Sequence, residues 1–169
     1  MSQSRPKRCR SPLPGLLVVL TLGLGGCLAD QPQPLNDLNR QLEAAGSSSR
    51  SPALSGRWLA LISRRSDRDM VDLVDLETGR PVPVPGLNRP DAEPLAVSVD
   101  GSGRRLAVIR QREGRTELVL HRRDAGAGEP LEISPPGVPE QLALSADGRL
   151  LAVQVSRQGH SQIDLIPLP

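Results

Sequence analysis

Arginine is the residue on which this sequence could most readily build recognition chemistry. Three short polar turns carry it: Arg64-Arg65-Ser66-Asp67-Arg68, Arg110-Gln111-Arg112-Glu113-Gly114-Arg115 and Arg157-Gln158-Gly159-His160. A guanidinium presents its donors in a rigid fork that matches carboxylate or phosphate oxygens two at a time. If the turns fall on one rim, Arg64, Arg65, Arg68, Arg110, Arg112, Arg115, Arg157 and His160 form a candidate cationic binding surface. Lipid headgroups, cell-wall polymers or an acidic protein would suit it. The plainer reading is that arginine at a hairpin tip is simply solvated.

Catalytic groups are harder to assemble. Ser145, Asp147 and His160 can be named, but no Gly-x-Ser-x-Gly elbow surrounds the serine. Two His and two Cys in the whole chain give no metal-ligand spacing, and the Asp-Gly pairs lack the acids of an EF-hand loop. There is no phosphate-cradling glycine loop and no aromatic stacking platform. His121 reads as a packed or surface strand residue. The expectation is a chain with no catalytic residues, no metal or cofactor, and no nucleic-acid partner.

The elements that would hold these turns repeat. Gly56-Arg57-Trp58-Leu59-Ala60-Leu61 recurs as Gly103-Arg104-Arg105-Leu106-Ala107-Val108 and as Gly148-Arg149-Leu150-Leu151-Ala152-Val153, at spacings of 47 and 45 residues. A period of this size marks supersecondary units that stack to share a core. Each unit reads as a β-meander, with short apolar runs broken by turn pairs such as Asp147-Gly148, Gln158-Gly159, Asp100-Gly101, Glu113-Gly114 and Thr78-Gly79. The third unit predicts strands over 140–144, 150–155 and 162–166. The second predicts 95–99, 106–110, 118–121 and 130–133. The first starts at Trp58 without an opening strand and continues through 70–76 and 82–84. Pro81, Pro83 and Pro85 put that last strand at an outer edge. Asp100 stands six residues before Leu106 and Asp147 four before Leu151, so Ser102-Gly103 is expected to lengthen one turn.

On these residues the chain resembles a known family. Ser145-Ala146-Asp147-Gly148-Arg149-Leu150-Leu151-Ala152 looks like the Ser-Pro-Asp-Gly-x-x-Leu-Ala signature of TolB-like (WD40-like) β-propeller repeats. Ser98-Val99-Asp100-Gly101 is a weaker copy, and Asp75-Leu76-Glu77-Thr78-Gly79 resembles the family's turn between third and fourth strands. The resemblance covers about residues 56–169. It implies an all-β fold, a partial β-propeller of about two and a half four-stranded meander blades, preceded by a signal helix and a tether. The family's aromatic before the motif is Leu144 here, and Val97 in the second unit. Ten strands cannot close a ring of the usual four to eight blades. Open blade edges then invite self-association or a protein partner; the plainer alternative is a small stacked-sheet domain that stands alone.

The N-terminus reads as an address. Arg5, Lys7, Arg8 and Arg10 precede the apolar run 16–24, which is too short to span a bilayer as a helix. Leu24-Gly25-Gly26-Cys27 resembles a bacterial lipobox, which implies removal of residues 1–26, lipidation of Cys27 and a membrane contact through that lipid. Leu28 after the cysteine implies outer-membrane sorting on the periplasmic side. The alternative is an ordinary signal peptide with a chance cysteine. The full chain has net charge +2, but four of its cations and none of its acids precede Cys27, so the processed chain is net −2. Its basic character therefore does not signal nucleic acid. Processing also removes Cys9, and acylation uses Cys27, leaving no thiol for a disulfide.

Residues 27–55 are expected to be tether. Leu28–Pro34 is polar and Pro-rich. Leu35, Leu38 and Leu42 share one helical face over 36–45, with Gly46 as a stop; disorder over 28–52 is the other reading. Phe and Tyr are absent and Trp58 is the single aromatic, so the core must be aliphatic. The function these features imply is a lipid-anchored periplasmic binding or scaffold protein engaging protein or envelope polymer. A carbohydrate or small-ligand module is the alternative, and a hydrolase a remote one.

Overall fold

The computed structural model describes residues 32–45 and 48–169. The chain divides into units 1–33 and 34–169, and only the second holds described secondary structure. Cys27 and the leader lie outside the described residues.

Helix α1 (Asn36–Ala45) forms where the leucine spacing places it. Leu38 and Leu42 are half-buried on one face, while Leu35 is exposed. Eleven strands follow, in three antiparallel sheets whose order follows the chain. The first contains β1 (Ser49–Ser55), β2 (Trp58–Arg65), β3 (Arg68–Asp75) and β4 (Arg80–Val82). The second contains β5 (Ala92–Val99), β6 (Arg105–Arg112), β7 (Arg115–Arg122) and β8 (Ala127–Leu131). The third contains β9 (Val138–Leu144), β10 (Leu150–Arg157) and β11 (His160–Pro167), three strands among the described residues.

Two expectations are corrected. The first unit does have an opening strand: β1 pairs with β2, Ala53 opposite Ala60 and Ser55 opposite Trp58. Its serines and Pro52 look like linker because the strand is bulged there, with Ser51 at φ +53°. The bulge has a use, since Ser51 Oγ accepts a hydrogen bond from Val97 N, 3.3 Å away in the second sheet. Nor is the turn at Asp100 longer than its counterpart. Asp100 N bonds to Arg105 O, and Ser145 N to Leu150 O, so both turns close over the same length. The aspartate and serine have changed places. Asp100 and Ser102 bond to each other in one turn, at 2.6 Å, and Ser145 and Asp147 in the other, at 2.5 Å.

The core consists of two aliphatic layers between sheets. Trp58, Ala60, Ile62, Val71 and Leu73 pack on Val97, Val99, Leu106 and Val108. The opposite face of the second sheet, with Ala107, Ile109, Leu118 and Leu120, packs on Leu144, Leu151, Val153 and Val155. Strand periodicity explains this: alternate residues face opposite ways, so an all-apolar β6 (Leu106 to Ile109) serves both layers at once. Equivalent polar bonds tie the layers together. Ser98 Oγ accepts from Leu144 N at 2.9 Å, as Ser51 does from Val97 N.

Candidate functional site

Each arginine-bearing turn is the tip of a hairpin with two residues at positive φ: Ser66 and Asp67, Glu113 and Gly114, Gln158 and Gly159. Two such residues make the tight turn whose twist matches the flanking strands. Arg65 thus faces Arg68, Arg112 faces Arg115 and Arg157 faces His160. The three tips occupy the same position in their sheets, as the repeat requires.

Most of this charge is neutralised within the chain. Arg65 reaches Asp72 at 2.7 Å, and the same carboxylate accepts from Ser63 Oγ at 2.5 Å. Arg110 donates twice to Glu117, at 3.0 and 2.9 Å, and is itself buried. Arg157 pairs with Asp164 through both terminal nitrogens and also donates to the Pro135 carbonyl. Arg64 lies 3.9 Å from Asp69 and 4.0 Å from Asp67. Arg112 Nε lies 3.0 Å from Asp91, and Arg68 donates to the Arg89 carbonyl at 3.1 Å. Arg115 and His160 are exposed. Apart from Asp67, which lies in the first turn, the acids come from the third strand of each sheet in chain order or from the approach to β5. A seven-residue spacing from arginine to acid (65 to 72, 110 to 117, 157 to 164) is the sequence signal that would have found three of these pairs.

Between the first two tips lies a cleft of about 450 Å³. Arg64, Asp67, Arg68 and Asp69 line one side; Asp91 and Glu93 line the other. Its surface alternates in sign and leans acidic. The Arg89 guanidinium, bonded at 2.9 Å, holds the Asp91 carboxyl down to about 2, with Arg112 adding to the effect. Asp91 therefore stays ionised at any physiological pH. Arg157 likewise holds Asp164 below the usual carboxylate range, and Asp164 raises Arg157 in return.

The serine, aspartate and histidine named from sequence do not converge. Ser145 Oγ bonds to Asp147 and accepts from Leu150 N at 2.9 Å, while Asp147 accepts from Arg149 N at 3.0 Å. The Ser145 hydroxyl is the main reason the Asp147 carboxyl is held low. These bonds shape a turn around Gly148, at φ +70°. His160 sits in the β10–β11 hairpin, at the far end of β10 from this turn. Among the described residues, no group of three or more His, Cys, Asp or Glu could hold a metal ion. No described helix is long and apolar enough to cross a membrane.

One buried polar residue lies outside the rim. His121 is fully enclosed, and neither ring nitrogen has a partner in hydrogen-bonding geometry. Burial pushes its pKa down; the Pro85 carbonyl opposes that shift and Arg110 adds to it. The residues one repeat away are Val74 and Ile166, so this position belongs to an apolar layer.

Stacked antiparallel meanders repeating at 45–47 residues, with equivalent turns on one rim, define a partial β-propeller with TolB-like blades. Among solved structures, TolB from Acinetobacter baumannii superposes with a TM-score of 0.53 and 17% identity, covering 69% of this chain and 29% of that one. A prolyl endopeptidase superposes with a TM-score of 0.50 and 12% identity, covering 79% of this chain and 24% of that one. This chain thus spans less than a third of either, and at these identities the likeness is one of fold. No family model matches the sequence, and neither does any curated protein.

Proposed function

We propose that this chain is a protein-interaction scaffold, held by a lipid on Cys27 at the periplasmic side of a bacterial membrane, with the outer membrane as its destination. The observation that carries the binding role is the mixed-charge cleft between the first two hairpin tips. Arg64, Asp69 and Asp91 in it are held by pairing, and such fixed charges suit complementary charges on another protein surface. A cleft without aromatic side chains is a poor sugar platform. Its partner would present both signs of charge, as a folded protein does, in preference to a uniformly acidic polymer.

Charge reversal tests the binding role. Arg68→Glu and Glu93→Arg, made singly in the full chain, should each reduce crosslinked protein partners recovered from envelopes, with the sheet spectrum unchanged. Equal recovery from both variants and the parent would overturn the cleft as the docking surface. The anchor has its own test. Incorporation of labelled palmitate should be lost in Cys27→Ser, and processing should be blocked by globomycin. A mature protein that is unlabelled and globomycin-insensitive would remove the lipid from this reading.

A further inference from the structure

The end of the strands away from the hairpin tips carries arginines of a different kind. In the first sheet, Arg57 stands beside acids at the close of β3: Asp75 at 3.6 Å and Glu77 at 2.5 Å. One repeat on, the residue equivalent to Arg57 is Arg104, and the residue equivalent to Asp75 is Arg122. A second cation stands where the acid was. Arg122 lies directly opposite Arg105 across β6 and β7, and Arg123 N bonds to Arg104 O at 2.9 Å. Four arginines thus end one pair of strands.

None of the four forms an ion pair among the described residues. Arg104 and Arg122 are exposed. Arg105 donates to the Gly148 carbonyl at 3.0 Å. Arg123 stands over Trp58, with Nη1 enclosed and without a partner. The turns at this end of the sheet hold two acids, and both are engaged by other donors. Asp100 accepts from Arg104 N, Arg105 N and Ser102 Oγ, and Asp124 from Ala125 N. Four cations against two acids leave a local surplus of two, in a processed chain that is net −2. Like charges directly opposite one another destabilise a strand pair, and an anionic surface outside the chain would relieve that repulsion.

Helix α1 meets the fold at this same end. A Cβ on Gly79 would stand 3.8 Å from Gln41 Oε1; the next residue, Arg80, pairs with Asp75, and Asp75 with Trp58 at the start of β2. Seven residues after Gln41, Ser48 O accepts from Arg64 N at the hairpin-tip end. The chain therefore climbs the first sheet from the arginine end, and what precedes α1 leads back to Cys27. Asn36 is nine residues from Cys27, a reach of at most about 30 Å.

We infer that this end of the second sheet lies on an anionic lipid surface, with Arg104 and Arg122 reaching headgroup phosphates and Arg105 and Arg123 adding their charge behind them. The inference rests on the membrane attachment proposed above and adds which end of the fold meets the bilayer. A folded protein surface presents both signs of charge, as the cleft at the hairpin tips does. Side-by-side cations without ion pairs match a surface of one sign. The negative potential of an anionic leaflet attracts such a cluster within a Debye length. The mixed-charge cleft, at the other end of the strands, then faces away from the bilayer.

Energy transfer from Trp58, the single tryptophan, tests this. The full chain is bound to vesicles of phosphatidylcholine alone, or of about two parts phosphatidylcholine to one of phosphatidylglycerol, each with a trace of dansyl-labelled headgroups. Transfer per bound chain should be higher on the anionic vesicles, and salt at about 0.5 M should remove the excess. Arg104→Gln combined with Arg122→Gln should cut the excess by roughly half or more. Arg115→Gln, at the hairpin-tip end, should leave it intact. Equal transfer on the two vesicles would overturn the inference. So would an excess unmoved by the double variant, or lost equally in Arg115→Gln. Loss of a crosslinked protein partner in the double variant, with no lipid excess in the parent, would make this end a protein surface and overturn it too. Transfer is read per vesicle-bound chain, so its outcome is separate from palmitate labelling at Cys27. Neither substituted arginine lines the cleft, so it is also separate from partner capture there.

Discussion

The ring of Trp58 fills the space where a side chain on Gly103 would begin. A Cβ at Gly103 would stand 2.4 Å from the ring, and φ there is +66°. The same contact recurs one unit on, where a Cβ at Gly148 would lie 3.0 Å from Arg105 Cδ. The first side chain of β2 and of β6 thus lies over the turn glycine of the next sheet. Arg57 and Arg123 stand over the same ring, 4.9 and 5.1 Å from its centroid.

Gly103→Ala should therefore be among the more damaging single changes. It forces an L residue into the left-handed region and displaces a packed ring. Together these cost about 2–4 kcal/mol. Urea unfolding followed by the emission of Trp58, which is 6% exposed, reads both the loss and the shifted ring. A change below half a kilocalorie would mean that the two sheets are not held in this contact.

Ser98→Ala tests the polar tie between the second and third sheets. It leaves Leu144 N, now bonded at 2.9 Å in a buried site, without an acceptor, at about 1–3 kcal/mol. Amide exchange at Leu144 should accelerate by the matching factor. Exchange unchanged from the parent would show that the amide has another partner.

His121→Val replaces a buried, unpartnered imidazole with the residue found one repeat earlier, Val74. The folded pKa lies below the ordinary 6.5, so the unfolded chain holds more protons in that window. Stability is then present above pH 6.5 and declines as pH falls below it. The valine variant should lose this decline and be the more stable protein in mild acid. Parallel stability curves for the two proteins from neutral pH downward would refute that account.

Asp91→Asn addresses the acid limb. The Asp91 carboxyl is lowered from 3.8 to about 2, so its stabilising contribution is complete above the unfolded value and is lost as pH falls through the folded one. The parent should show a decline across that interval which the asparagine variant lacks. An NMR titration placing the Asp91 midpoint at the ordinary value would remove the Arg89 pairing as its cause.

What the sequence alone settled here was local and periodic. Gly56, Gly103 and Gly148, followed each time by an apolar run, fixed three stacked meanders, because turn chemistry and strand alternation act between near neighbours. The hairpin tips at Glu113-Gly114 and Gln158-Gly159 and the leucine face of α1 were legible for the same reason. Only the tertiary structure decided that Ser51 bulges β1 to reach Val97 and that Ser98 meets Leu144. Such partners lie on different strands or sheets, tens of residues apart in the chain. Their meeting is set by register and stacking, which composition and spacing do not encode at any single position.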